Sequence, residues 1–299
     1  MPPSSADLAV LVSPSAGRGR GPVPTVEVLA AFRQAGFAPE VLPATSGAEG
    51  ERHAAKAVAA GTRAVVAVGG DGTVHAALQA VAGTSTPLAV IPAGTGNDLA
   101  LALGVPRDPV AAARAAAEDL AGGTTRSVDA GWTGDRWWAT VLCCGFDSAV
   151  SDRANRLRWP RGRRRYDVAV LAELARLRPR ELTLVLDGES QTLPITMVAI
   201  GNTPWYGGGM KICPGADPTD GLFDVTVVGA TSRLELIRAK PRLTSGTHVG
   251  HPSVAVFRAS RVELAGPGVT TYADGEPVAP LPAVAECIPG ALTVVGSGR

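Results

Sequence analysis

A chain of 299 residues is long enough for two domains, each with its own core. With 45% hydrophobic residues, 18% charged residues and a formal net charge of +1, it is neither a disordered chain nor one that coats nucleic acid, which needs a dominant basic surface. The four cysteines (Cys143, Cys144, Cys213, Cys287) show no Cys-x-x-Cys spacing, so the expectation is buried thiols in a reducing cytoplasm rather than a zinc site or a disulfide framework.

In chain order, residues 8–12 read as a strand, 24–34 as a helix, 38–43 as a strand and 50–60 as a helix. Residues 63–68 and 88–91 are two further continuous apolar strands, each running into a glycine-rich turn and then a helical stretch, at 74–81 after the first and from Asn97-Asp98 to Leu103 after the second. An Ala-rich helix at 111–120 closes the series. This alternation predicts a doubly wound α/β domain over residues 1–130. After Asp129 the texture changes: 137–145, 181–186, 195–200, 223–228, 254–258, 261–264, 269–273 and 292–295 read as short strands between Gly, Pro and Asp turns. One helix at 165–177 interrupts them and a second is placed at 233–238. Residues 131–299 are therefore expected to form a β-rich sandwich domain, with the last residues returning to the first. The N-terminus, MPPSSADLAVLVSPSAG, lacks the basic start and apolar run of a leader, and no stretch reaches the ~18 uninterrupted apolar residues of a membrane span, so a cytoplasmic protein is expected.

The chemistry concentrates where the strand at 64–68 meets Gly69-Gly70-Asp71-Gly72-Thr73. Glycines let backbone approach a ligand, and a helix N-terminus offers free N–H groups and partial positive charge to phosphate. Asp71 among phosphate-binding amides makes sense as the holder of a divalent ion that travels with a nucleotide, although a GGDG alone is also a tight turn whose Asp caps the next helix. Pro92 to Gly96 repeats the logic, with Asp98 at the start of the following helix, where capping is the ordinary job for an Asp. Both loops lie at carboxyl ends of strands, where open α/β sheets bind ligands.

Taken with Ser13-Pro14-Ser15-Ala16-Gly17, Val128-Asp129, the segment from Pro214 to Asp224 and Asp274-Gly275-Glu276, these motifs occur in an order that resembles the diacylglycerol kinase catalytic family, bacterial soluble branch, over nearly the whole chain. The resemblance implies an N-terminal fold like that of NAD kinases and phosphofructokinases. It implies ATP as co-substrate, with Ser13, Pro14, Ser15, Ala16, Gly17, Thr45, Gly69, Gly70, Asp71, Gly72, Thr73, Val74, His75, Thr95 and Glu276 lining its site. It further implies Mg2+ organised by Asp71, Asp98 and Asp129, a structural Mg2+ on Asp217, Asp220 and the Leu222 carbonyl, Asp274 as general base, and a homodimer. Read without the family, the Asp217–Asp220 loop is a surface turn and Asp274-Gly275 a hairpin turn. Three positions depart from the pattern: Ser13 replaces an Asn, Arg18 a Lys and His75 an Asn. Arg18 still suits phosphate through its planar fork, and His75 reads as a helix residue satisfied by its neighbours.

The expected reaction is transfer of the γ-phosphate of ATP to a lipid hydroxyl, diacylglycerol giving phosphatidic acid. Two alternatives stand beside it. An NAD kinase shares GGDGT, but carries an Asn-Glu pair and a GSTAY-like segment that this chain lacks; a non-catalytic nucleotide- or lipid-binding protein of the same fold has no need of the intact acidic set. The stretch ANRLRWPRGRRR with Trp159 is the strongly basic one, readable as a solvated loop or as a peripheral contact with the inner face of the membrane, helped by Trp205-Tyr206; each basic residue contributes about 1 kcal/mol near an anionic surface.

Overall fold

Unbroken runs of Val, Leu, Ile and Ala become strands when both faces of a sheet are covered, because no position then has to meet water. In the computed structural model, which describes residues 7–12, 24–157, 159 and 163–296, the strands β1 (Leu8–Val12) and β3 (Ala64–Gly69) follow that rule: Ala64, Val65, Val66, Ala67 and Val68 are each 0% exposed. The chain divides into two units, one of Met1–Asp129 with Gly290–Arg299 and one of Ala130–Pro289.

The first unit runs β1, α1 (Thr25–Gln34), β2 (Pro39–Leu42), α2 (Gly47–Ala59), β3, α3 (Asp71–Val81), β4 (Leu88–Pro92), α4 (Asp98–Ala102), α5 (Pro109–Ala121) and the start of β5 (Thr125–Thr133). Its strands pair in parallel in the order β2-β1-β3-β4, with Val10 beside Val41 and Val66, and Val68 beside Ile91. Parallel neighbours joined by helices are the doubly wound pattern expected from the sequence. Phe32 and Val28 of α1 pack with Ala113 and Ala117 of α5 against Val10, Val66 and Ile91. Two helices begin three residues ahead of their sequence-based starts. For α2 the reason is a cap: Ser46 Oγ accepts the Glu49 N–H (3.3 Å), while the Glu49 carboxylate accepts from Thr45 N–H (2.8 Å). For α3 the tertiary contacts of Asp71 carry the helix into the glycine motif itself.

The second unit is antiparallel throughout: the end of β5, then β6 (Arg136–Trp138), β7 (Val141–Gly145), α6 (Phe146–Arg156), α7 (Arg163–Ala175), β8 (Arg180–Leu186), β9 (Glu189–Gly201), β10 (Trp205–Tyr206), β11 (Met210–Lys211), β12 (Phe223–Gly229), α8 (Arg233–Ser245), β13 (Val254–Ala259), β14 (Arg261–Ala265), β15 (Thr270–Ala273), β16 (Glu276–Pro280) and β17 (Ala283–Val295). The final residues of β17 belong to the first unit, where Val294 pairs in parallel with Leu88. The long β9 organises the sandwich: its first half pairs with β8, and its second half with β7 on one edge and β12 on the other. The stretch 137–145, expected as one strand, is two, because Ala139 and Thr140 leave the ladder to bond elsewhere. The helix α6 was not expected from the sequence. It starts from Gly145, whose φ of +98° suits glycine alone and whose N–H is taken by Ser148 Oγ (3.1 Å).

Trp138 anchors this core. It is 0% exposed, stacks on Phe223 at 4.9 Å, and donates its indole N–H to Thr133 Oγ1 (3.0 Å). Gly131 lies beneath it, where a Cβ would stand 2.1 Å from the ring. Trp138→Ala is expected to destabilise the second unit by about 3–5 kcal/mol, the cost of emptying a fully packed aromatic site, read as a lowered midpoint of urea unfolding by far-ultraviolet circular dichroism.

Candidate functional site

In the first unit the two glycine loops are fastened to each other. Asp71 is the first residue of α3, and its carboxylate reaches across to the second loop: Oδ2 accepts the Asn97 N–H (3.0 Å) and Oδ1 the Asp98 N–H (2.8 Å). Ala93 N–H donates to the Gly69 carbonyl (2.8 Å), and the Asn97 side chain closes its own loop by accepting from Gly94 N–H (2.9 Å) and donating to Gly94 O (3.0 Å). Asn97 adopts φ of +63°, a conformation its short amide tolerates. Contact this close requires bare backbone: a Cβ on Gly94 would stand 2.3 Å from the Gly70 Cα, and one on Gly96 would stand 2.2 Å from Asp71 Oδ2 and 3.6 Å from Asp98 Oδ2.

This is the place to test for a divalent cation. Two carboxylates from two loops converge on the Gly96 backbone, and Asp98 is only 6% exposed. Hard oxygen donors in that arrangement fit a cation such as magnesium. Asp129, 4% exposed, holds the returning chain by accepting the Gly290 N–H (2.8 Å). Thr45 is engaged with Glu49, Thr95 is exposed at the crest of the second loop, and His75 is buried beside Gln79 Nε2 (3.3 Å). Thr73 packs over Gly69, and Val74 is buried, its N–H donating to the Gly70 carbonyl (3.1 Å). Ser13, Pro14, Ser15, Ala16, Gly17 and Arg18 lie outside the described residues.

In the second unit Asp274 and Gly275, with φ of +52° and +85°, form a two-residue turn between β15 and β16, and Glu276 opens β16 exposed. The Asp274 carboxylate accepts from Ala139 N–H (3.3 Å), Thr140 N–H (3.2 Å) and the Thr140 hydroxyl. Behind them the Asn202 amide donates to the Ala139 carbonyl (2.9 Å), while Asn202 and Thr203 N–H groups donate to the Thr140 carbonyl (2.9 and 3.1 Å). Sequence reasoning missed Thr140 and Asn202. The available signal was a hydroxyl inside an apolar run and an Asn ending another, since buried polar groups need partners.

A second carboxylate of this unit was also missed. Asp147, in the first turn of α6, accepts the Tyr206 hydroxyl (2.8 Å), and burial raises its carboxyl to about 6 against that hydrogen bond. Asp147 and Asp274 both stand close enough to Cys143 to add to the upward push that burial gives its thiol. The Asp217 to Leu222 loop is turned on itself. Asp217 Oδ1 accepts from Thr219 N–H (3.0 Å) and its hydroxyl (2.6 Å), Asp220 Oδ1 accepts from Leu222 N–H (3.0 Å), and Asp220 Oδ2 pairs with the Arg258 guanidinium. Arg258 thus sets a positive charge against Asp220 at this loop.

Two predictions follow from this geometry. Gly94→Ala forces the loops apart against backbone and is expected to cost about 1–3 kcal/mol, whereas Gly47→Ala, with open space around its Cβ, leaves the thermal midpoint unchanged or slightly higher. The second concerns pH. The folded value of Asp147 lies above that of an unfolded chain, so its favourable contribution is complete below about pH 4 and lost as pH rises through 6. Asp147→Asn, which retains an acceptor for Tyr206, is expected to gain more stability at pH 8 than at pH 5; equal gains in chemical unfolding at the two values would contradict the assignment.

The diacylglycerol kinase catalytic domain matches residues 7–133, and the YegS C-terminal NAD kinase beta sandwich-like domain matches residues 140–296. A diacylglycerol kinase of Mycobacterium tuberculosis is 44% identical over 297 residues, covering 96% of this chain and 94% of its own. The diacylglycerol kinase of Bacillus subtilis is 27% identical over 258 residues, covering 85% and 84%. A crystal structure of a diacylglycerol kinase from Bacillus anthracis str. Sterne shares the fold, with a TM-score of 0.72 at 18% identity over 98% of this chain and 97% of that one. Both halves of the chain and its relatives agree, and it belongs to the diacylglycerol kinase catalytic family of lipid kinases.

Proposed function

We propose that this enzyme transfers the γ-phosphate of ATP to the primary hydroxyl of diacylglycerol, giving phosphatidic acid, with magnesium as the metal. The observation that carries the reading is the double glycine loop clasped by Asp71, which sets the N-terminus of α3 beside two convergent carboxylates. The amides at the start of α3 receive phosphate oxygens, and Asp71 and Asp98 hold the cation. Magnesium held there would supply positive charge to the phosphate oxygens. Asp274 takes the proton of the lipid hydroxyl as its oxygen bonds to phosphorus. Thr140 and the backbone of residues 139–140 keep the carboxylate of Asp274 in one orientation, which a base that must meet a mobile acceptor needs. The acceptor is drawn from the inner face of the membrane, so the protein works as a cytoplasmic enzyme in transient contact with that surface.

The test is incubation of the purified protein with γ-labelled ATP, magnesium and, in separate reactions, diacylglycerol, monoacylglycerol, a sphingoid base, phosphatidylglycerol or NAD. Label on diacylglycerol is expected; label on NAD, or on no acceptor, overturns the reading. Asp274→Asn is expected to lower transfer about 10²- to 10⁴-fold while ATP binding by calorimetry persists, and turnover like that of the wild type would remove Asp274 as the base.

A further inference from the structure

Helix α8 reverses the usual arrangement of a surface helix. Its inward side is only half-covered: Leu236, Ala239 and Leu243 are partly buried, and Leu243 packs on the cluster of Met197, Ile212 and Cys213. Residues at positions i, i+3 and i+7 share one face, and on α8 those opposite the inward side are Leu234, Ile237 and Pro241. All three are exposed, Leu234 by 54% and Ile237 by 56%. An apolar stripe turned outward costs solubility unless something covers it.

The charges on the same helix indicate what that is. Arg238 and Arg242 follow the stripe on one side, and Arg233 and Lys240 border it on the other. None of these four forms an ion pair among the described residues. The helix's one acid, Glu235, is spent in its own cap, accepting from Ser232 N–H (2.8 Å) and Thr231 Oγ1 (3.2 Å). By contrast, Arg153 and Arg156 of the basic stretch near Trp159 are already paired, with Glu173 and with Asp152 (2.9 Å). No helix among the described residues is long and apolar enough to cross a membrane, and a 13-residue helix is about 20 Å long, short of a bilayer's apolar core. An apolar stripe flanked by unpaired cations is the pattern of a helix that lies in the plane of a lipid surface.

We propose that the outward face of α8 is a docking surface for an anionic lipid bilayer: Leu234, Ile237 and Pro241 enter the headgroup layer, and the flanking Arg and Lys side chains meet lipid phosphates. A second copy of the chain is the poorer occupant, because a two-fold contact through this face sets its cations against their own equivalents. This deepens the lipid-kinase reading by naming the surface through which the enzyme reaches its acceptor.

The experiment is cosedimentation of the full chain with vesicles of phosphatidylcholine mixed with phosphatidylglycerol, and with vesicles of phosphatidylcholine alone. Wild type is expected to bind the mixed vesicles, weakly the neutral ones, and less as salt rises. Arg238→Gln with Arg242→Gln is expected to weaken binding to the mixed vesicles roughly 30-fold, and Leu234→Ser with Ile237→Ser by at least as much. The altered side chains are exposed, so folding by circular dichroism stays as in wild type. Transfer to a short-chain diacylglycerol dispersed in water is expected to be equal in all forms, while transfer to diacylglycerol in the mixed vesicles falls with binding. Unchanged vesicle binding in both double variants overturns the proposal, as does a loss of dimer by light scattering without a change in vesicle binding. A wild type that binds vesicles but phosphorylates no lipid sinks the kinase reading and leaves the docking surface standing.

Discussion

The Asp71 carboxylate holds two loops that no local preference would bring together. Asn97 sits at a positive φ and α4 is five residues long, too short to persist by itself, so the second loop needs an external partner for its leading amides. A carboxylate accepting two N–H groups supplies one, and hydrogen bonds to a charged group are worth about 1.5–3 kcal/mol each. The same contact commits Asp71 to the first turn of α3 and brings its carboxylate towards Asp98 at the Gly96 backbone. Gly70, Gly94 and Gly96 are the condition for it, since a side chain at any of them would meet backbone or carboxylate.

The second unit uses the same device at its own polar centre. Where β6 ends, two residues leave the ladder, and the carboxylate of a tight turn accepts their amides from one side while Asn202 and Thr203 hold their carbonyls from the other. A strand break inside an apolar sandwich leaves unpaired backbone groups, and the buried polar side chains around residues 139–140 are there to satisfy them. Asp274 is thereby held in place by the fold rather than by its own turn. The surface of this unit obeys a different constraint: α8 leaves apolar side chains outward beside cations without ion pairs, which favours contact with lipid over water.

How much of this could be read beforehand depended on range. The parallel strands of the first unit were legible because a strand covered on both faces is apolar at every position, as in residues 64–68. The helices were legible in place and less so in extent, since α2 and α3 gain their first turns from capping and tertiary bonds. In the second unit α6 was invisible: its start depends on Gly145 at positive φ, and its polar residues resemble a loop. The basic run after it drew attention as charge, although two of its arginines have carboxylate partners, one of them 20 residues away in α7.

By itself the sequence determined the fold class, the family and which Asp and Gly residues stand at turns, because periodicity and motif order are carried by near neighbours. Only the tertiary structure decided what those residues touch. Asp71 meets Asp98 across 27 positions, and Asp274 meets Thr140 across 134. Asp220 meets Arg258 across 38. Partners at such separations are set by the path of the chain through two sheets, and no local pattern encodes that path.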